Sequence, residues 1–216
     1  MKVVEIFGSI DGEGLRTGEL ATFIRLAGCN LRCRYCDTSY ALQMADGEEM
    51  TIEDILNKVE EIGYKNITLT GGEPLIHKDV DILVNKLTEN GYKVNIETNG
   101  SIDIKKYLLD NVLITMDYKT IASGESSKML LDNINKLRET DVIKFVCNSE
   151  DLSQITRILK KYKPKCYIYL SPIFNEIQPY ELVEYLKSIN KEIDTSKIRI
   201  QVQLHKIIWE PNERGV

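Results

Sequence analysis

Apolar positions along the chain follow two alternating rhythms. Short runs rich in β-branched and aromatic residues lie at 21–27, 66–70, 93–98, 113–118, 142–147, 166–170 and 198–204, the composition of strands. Between them, apolar residues three and four apart predict helices over 52–62, 80–89, 104–109, 127–138, 152–162 and 179–189, as with Ile55, Val59 and Ile62. Thr51 with Asp54 three residues later is a capping start, and Gly63 and Gly91 fall just past helix ends, where a left-handed residue is wanted. Strand and helix alternate throughout, which predicts a mostly parallel sheet with outer helices. No linker, repeat or low-complexity stretch interrupts the alternation, so residues 1–216 read as a single domain. A complete eightfold βα barrel needs about 250 residues. A chain of 216 therefore predicts an incomplete barrel of about six to seven mostly parallel strands.

Composition narrows the class. Hydrophobic residues make up 43% and charged residues 28% of the chain, ordinary for a globular protein. A net charge of −5 offers no electrostatic footprint for nucleic acid or an anionic membrane. No stretch approaches the ~18–20 apolar residues of a membrane span, and the first residues show no targeting pattern. Of five cysteines, three are clustered, a poor disulfide framework. Cys147 and Cys166 sit in apolar runs as small hydrophobes. These features describe a reduced, cytoplasmic protein.

The chemistry gathers where strands end, at the carboxyl rim that carries the site in barrels and open sheets alike. Cys29, Cys33 and Cys36 follow the first of the strands above; Gly71-Gly72-Glu73-Pro74, Asn99-Gly100, Lys119 and Ser171-Pro172 follow four others. Three thiolates in eight residues can hold one metal centre but leave a coordination position open. A structural zinc site would need a fourth ligand, and His77 and His205 pair with neither a cysteine nor each other. An iron–sulfur cluster with one open iron is the other reading. Arg25 shares a strand face with Phe23 and Ala27; a guanidinium there requires a carboxylate, from a ligand or from a structural Glu.

The spacing Cys29-x3-Cys33-x2-Cys36, with Tyr35 before the last cysteine, and the turn Thr70-Gly71-Gly72-Glu73-Pro74 resemble the radical S-adenosylmethionine superfamily. The resemblance implies a 4Fe–4S cluster on the three cysteines, with S-adenosylmethionine chelating the fourth iron. One electron then cleaves the sulfonium to a 5′-deoxyadenosyl radical that abstracts a substrate hydrogen. It also implies cofactor contacts from Tyr35, Cys36, Asp37, Gly72, Glu73, Asp117, Tyr118, Lys119, Ser171, Pro172, Ile173 and Phe174. Gly71 and Gly72, without β-carbons, would let backbone approach the methionine moiety; a plain strand-to-helix turn would use the same residues.

Three further segments, Glu5–Gly14, Phe23–Asn30 with Cys36-Asp37-Thr38, and Gln203-Leu204-His205-Lys206 with Trp209-Glu210-Pro211, resemble the 7-carboxy-7-deazaguanine synthase family of queuosine and deazapurine biosynthesis. That family contracts 6-carboxy-5,6,7,8-tetrahydropterin with loss of ammonia. The resemblance implies substrate contacts from Ile10, Asp11, Gly12, Arg25, Thr70, His205 and Pro211, a Mg²⁺ on Thr38, a flavodoxin- or ferredoxin-type electron donor and a homodimer. His205 falls in a predicted strand. Glu13 and Glu73 are further polar candidates. Two positions depart from the family pattern, Asp11 and Ser171, where glutamine is common. Asp-Gly-Glu-Gly leans towards the Asp-Gly-Pro-Gly of glycyl-radical activases, the alternative enzyme reading; an iron–sulfur sensor is the non-enzyme one.

Overall fold

A computed structural model describes residues 1–211 and 213–216. The first half of the chain forms β1 (Lys2–Ile10), β2 (Leu20–Leu26), β3 (Glu48–Glu49), α1 (Ile52–Ile62), β4 (Asn66–Gly71), α2 (Val80–Glu89) and β5 (Lys93–Thr98). The second forms β6 (Val112–Asp117), α3 (Asp132–Lys136), β7 (Val142–Cys147), α4 (Leu152–Tyr162), β8 (Tyr167–Pro172), α5 (Pro179–Ile189), β9 (Ile198–Ile200) and α6 (His205–Ile208). The strands make one sheet in the order β3-β1-β2-β4-β5-β6-β7-β8-β9. From β2 through β9 neighbours are parallel, while β1 runs antiparallel to β2 and β3 antiparallel to β1. The sheet does not close on itself, as a partial barrel requires.

Strand alternation divides the sheet into an apolar and a polar face. Ile24, Leu26, Ile67, Leu69, Ile96, Ile114 and Phe145 are fully buried and pack with Ile55, Val59, Leu83, Val84, Ile155 and Leu182 of the helices. Each such side chain contributes roughly 1.5–3 kcal/mol by leaving water. The opposite face carries Arg25 beside Thr70, and Asp117 beside Lys144. This polar concave face is the wall of the site.

The amino ends of the parallel strands are shut by the segment between β1 and β2. Arg16 donates from Nη1 to Lys93 O (3.1 Å) and from Nη2 to Ile67 O (3.3 Å). The same segment ties to the chain after β9: Gly14 N donates to Gln201 Oε1 (2.7 Å) and Leu204 N to Gly12 O (3.1 Å). One loop thus floors the half-barrel and links both sides of its gap.

The helices expected at 52–62, 80–89, 152–162 and 179–189 form as expected, and Thr51 and Asp54 make the reciprocal cap. Three expectations change. Residues 104–109 close only one 3₁₀ turn, Lys105–Tyr107. The 127–138 helix shrinks to a 3₁₀ turn and the short α3, because fully buried Asn133 is claimed by the loop after β5: its amide donates to Gly100 O and Ile102 O and accepts from Ile104 N. The strand expected over 198–204 stops at Ile200, where Gln201 turns to the floor loop, and His205 begins α6 rather than lying in a strand. Strands β1 and β3 were outside the expectation. A register shift between Val3 and Glu5 blurs the alternation in β1, and β3 has only two residues.

Asp141 is fully buried between β6 and β7, accepting from Ile114 N (3.0 Å), Arg138 N (2.8 Å) and the Arg138 guanidinium (2.8 Å). Asp141→Ala leaves the Arg138 charge without its partner and should cost about 3–5 kcal/mol. The urea midpoint should fall without a change in m; a loss below about 1 kcal/mol would show that the pair does not join the strands.

Candidate active site

The cysteine loop leaves β2 through Gly28, whose φ of +90° is left-handed. Backbone bonds fasten it on two sides: Gly28 N donates to Ala41 O (2.8 Å), Cys29 N to Leu42 O (3.1 Å) and Arg34 N to Ser123 O (3.0 Å). The end of β4 lies directly beneath. Gly72 N donates to Leu26 O (3.0 Å) and Glu73 N to Gly28 O (2.8 Å). A β-carbon on Gly71 would stand 2.0 Å from Leu26 O, and one on Gly72 2.2 Å from Gly28 O. The glycine pair is therefore demanded by the protein's own backbone packing, independent of any ligand.

Cys29, Cys33 and Cys36 all face one cavity and are partly buried. Burial raises all three thiols, Cys33 to about 11. Among the described residues, no three His, Cys, Asp or Glu side chains converge as ligands of a single ion. Three thiols on one cavity are one ligand short of a closed zinc site and match a cluster that leaves one iron open. The donor set, three soft thiols and no fourth cysteine nearby, fits a cluster with one open iron.

Every residue expected at the substrate lines this cavity: Ile10, Asp11, Gly12, Arg25, Thr70, His205 and Pro211. Arg25 donates from Nε to Glu5 Oε1 (2.6 Å) and lies between the Phe7 and Tyr40 rings, 5.9 and 5.8 Å from their centroids. The structural carboxylate considered for it thus exists, and among the described residues its terminal nitrogens make no hydrogen bond. Asp11 accepts from Thr68 Oγ1 (2.6 Å) and lies 3.5 Å from Arg16 Nε, so an aspartate at this position is accommodated within the chain. Burial nevertheless raises its carboxyl. Gly12 abuts His205: a β-carbon there would stand 2.5 Å from Nδ1. Burial lowers the His205 imidazole.

Of the cofactor candidates, Tyr35, Cys36, Asp37, Gly72, Asp117 and Lys119 line the cavity, as does Thr38. Burial opposes the Lys119 charge, but Asp117, 3.0 Å away, with Tyr35 and Cys33 outweighs it and holds the ammonium above its usual range. Tyr35 donates to Val146 O (3.0 Å). The Thr38 hydroxyl donates to Asp37 Oδ1 (2.9 Å), and Lys206 lies 3.7 Å from Asp37.

Six cofactor candidates are not part of the lining. Glu73 points into its own turn, accepting from Leu75 N (3.0 Å), Thr98 Oγ1 (2.9 Å) and Asn99 N (2.6 Å); burial pushes it up to about 7 against these donors. Tyr118 packs in the core against Phe145. Ile173 backs Tyr35 in a small apolar cluster, Phe174 is exposed, and Ser171 and Pro172 pair with Val146 and Cys147. The Ser171 hydroxyl is buried and makes no hydrogen bond among the described residues. Residues at four of the five expected strand ends line the cavity, and at the fifth, that of β8, Ile173 packs against the lining Tyr35.

The cavity also uses residues the motifs did not single out. Lys144, 4% exposed, donates to Glu13 (2.9 Å) and lies 3.6 Å from Asp117 and 3.8 Å from Glu97. Its strand position, a lone lysine in the apolar run Val142–Cys147, was the available signal. Beyond the Trp209-Glu210-Pro211 motif, Glu213, Arg214 and Val216 also line the cavity, with the Arg214 guanidinium 3.7 Å from the Tyr40 ring; nothing in their composition marks them.

Comparison with known proteins agrees with this geometry. The pattern of the Radical SAM superfamily matches residues 23–149. A 7-carboxy-7-deazaguanine synthase of Clostridium acetobutylicum is 44% identical over 100% of this chain and 99% of its own length. One of Methanospirillum hungatei is 38% identical over 98% and 86%. The crystal structure of QueE from Escherichia coli superposes with a TM-score of 0.74 at 25% identity, covering 94% of each chain. At 16% identity, the structure of Streptococcus suis SuiB bound to S-adenosylmethionine shares the fold (TM-score 0.57, 81% of this chain and 48% of that one).

Gly72→Ala should force the cysteine loop off β4. Iron and sulfide bound after anaerobic reconstitution should fall at least about threefold while far-UV circular dichroism stays unchanged; full cluster content in the variant would refute the packing argument.

Proposed function

The chain belongs to the radical SAM superfamily and, within it, to the 7-carboxy-7-deazaguanine synthase family, and on that premise we propose that its cavity converts 6-carboxy-5,6,7,8-tetrahydropterin to 7-carboxy-7-deazaguanine and ammonia. The observation that carries this reading is the 44% identity over the full chain. A cavity lined by the three thiols and by Arg25, Thr70 and His205 together supports it. A 4Fe–4S cluster on Cys29, Cys33 and Cys36, with S-adenosylmethionine on its open iron, supplies when bound the one-electron chemistry needed to remove a hydrogen beyond the reach of any side-chain base.

The chain's own residues bind and orient. Arg25, flanked by Phe7 and Tyr40 and tethered through Nε to Glu5, grips the pterin carboxylate with its remaining nitrogens, the geometry a guanidinium fork favours. Thr70, Asp11, His205, Pro211 and the backbone of Ile10 and Gly12 hold the pterin ring. Tyr35, Cys36, Asp37, Gly72, Asp117 and Lys119 cradle S-adenosylmethionine, and Glu73, Tyr118, Ser171, Pro172, Ile173 and Phe174 complete the set of cofactor contacts in this reading. Thr38 offers one oxygen to Mg²⁺, a hard cation that takes its other ligands from substrate and water. Glu210, Pro211, Glu213 and Arg214, which line the cavity after α6, help to shield a site where a stray hydrogen-atom donor would quench the radical.

Around this core the reading includes a flavodoxin- or ferredoxin-type electron donor, a homodimer, residues 1–216 acting as one unit, and a cytoplasmic setting. No helix among the described residues is long and apolar enough to cross a membrane.

The reconstituted protein, given dithionite, Mg²⁺, S-adenosylmethionine and the carboxypterin, should form 7-carboxy-7-deazaguanine by mass spectrometry without stoichiometric loss of S-adenosylmethionine. Arg25→Ala should lower kcat/KM for the carboxypterin by roughly 30-fold or more, since truncating one partner of a buried charge pair costs about 2–5 kcal/mol. Unchanged turnover in that variant would remove Arg25 from the substrate.

A further inference from the structure

Lys144 projects from β7 into the cavity wall and faces three carboxylates from three elements: Glu13 from the floor loop, Asp117 from β6 and Glu97 from β5. The ammonium has three donors but does not share them equally. Glu13 takes the short bond, at 2.9 Å. Asp117 is shared with Lys119, at 3.0 Å. Glu97 receives the remainder: Lys144 at 3.8 Å and the Asn95 amide at 3.5 Å, both beyond good hydrogen-bond length. Asp11, the fourth carboxylate here, is tied to Thr68 and Arg16. Glu97 is therefore the loosely held member, and it lines the cavity.

Ring contraction with ammonia loss, the reading on which this inference rests, ends in a step that moves one proton from carbon to nitrogen. We infer that Glu97 carries that proton, and that Lys144 is the positioning residue that holds the carboxylate ready. The C–N bond to the departing amine breaks with its electron pair on nitrogen. The neighbouring C–H bond gives its pair to the new ring double bond and its proton to Glu97. The carboxylic acid passes this proton to nitrogen, ammonia leaves, and Glu97 is a carboxylate again. No electron is gained or lost and no further reactant is needed.

The surroundings suit such a group. Burial pushes the Glu97 carboxyl up to about 7, Lys144 draws it down, and Glu13, Asp11 and Asp117 push it further up; Arg16 faces it from the floor loop. An acid with its pKa near the working pH is the efficient choice for taking and returning a proton. The base form is lost as pH falls below about 7, so turnover should rise with pH through that value.

Glu97→Gln keeps the shape and removes the proton carrier. In the reconstituted holoenzyme, deazapurine formation should fall at least about 100-fold. Deuterium from carbon 6 of the substrate should still pass into S-adenosylmethionine, and a ring-contracted isomer retaining the amine should accumulate. Glu97→Asp should recover part of the rate. Lys144→Met should move the rising limb of the pH profile to higher pH, which a purely structural role would not do, and this shift decides the matter if Glu97→Gln fails to take up its cluster. Product formed by Glu97→Gln within about threefold of wild type, or a pH limb unmoved in Lys144→Met, would overturn the inference. If wild type itself cleaves S-adenosylmethionine but leaves the carboxypterin unchanged, the ring-contraction reading falls, and this inference with it.

Discussion

The backbone contact between the ends of β2 and β4 governs the rest of the site. Two successive residues without side chains let Gly71 and Gly72 lie against Leu26 and Gly28, closer than any other residue type permits. That contact sets where the cysteine loop begins. Glu73, immediately following, reaches across with three accepted hydrogen bonds and fixes the end of β5 and Asn99, whose amide in turn lies 3.9 Å from the Cys29 sulfur. Three strand ends and the thiol loop are thus joined by backbone contacts and by one buried carboxylate.

The polar concave face poses the opposite problem. Lysine and four carboxylates inside a half-barrel cannot be stabilised by burial and must be compensated by each other. The floor loop resolves much of this, since Glu13 pairs with Lys144, Asp11 with Arg16, and Arg16 caps two strand carbonyls. Compensation is incomplete by construction. Among the described residues, buried oxygens of Asp11, Glu13 and Asp117 accept no hydrogen bond, and a ligand rich in N–H donors, as a pterin is, meets an acceptor-rich wall.

Legibility in the sequence followed the same division. Strands with one face on the helices kept their period, so β5 and β7 were readable to the residue, and helices α1, α2, α4 and α5 likewise carried an unbroken apolar stripe. Segments whose conformation depends on distant hydrogen bonds were not readable: Asn133 serving a loop 30 residues upstream, or Gln201 turning to the floor. The motif residues at the substrate all reached the cavity. The residues expected from β8 stand one layer back, Ile173 against Tyr35 and Ser171 beside Val146, a packing relation that a short motif does not encode. Lys144 was visible as an anomaly, yet its three partners lie 131, 47 and 27 positions away, and only the fold brings them together.

Arg25 shows why a sequence argument about cost needs the structure to complete it. A guanidinium among apolar neighbours demands a carboxylate, and both a substrate and a structural glutamate answer that demand. The structure answers it with Glu5, but through Nε alone and at one edge of the group, while Phe7 and Tyr40 fix its plane. Partial satisfaction of this kind keeps the charge folded into the protein when no ligand is present and leaves bonding capacity for one that arrives. A fully paired arginine would offer a ligand nothing, and an unpaired one would destabilise the strand that carries the cysteine loop.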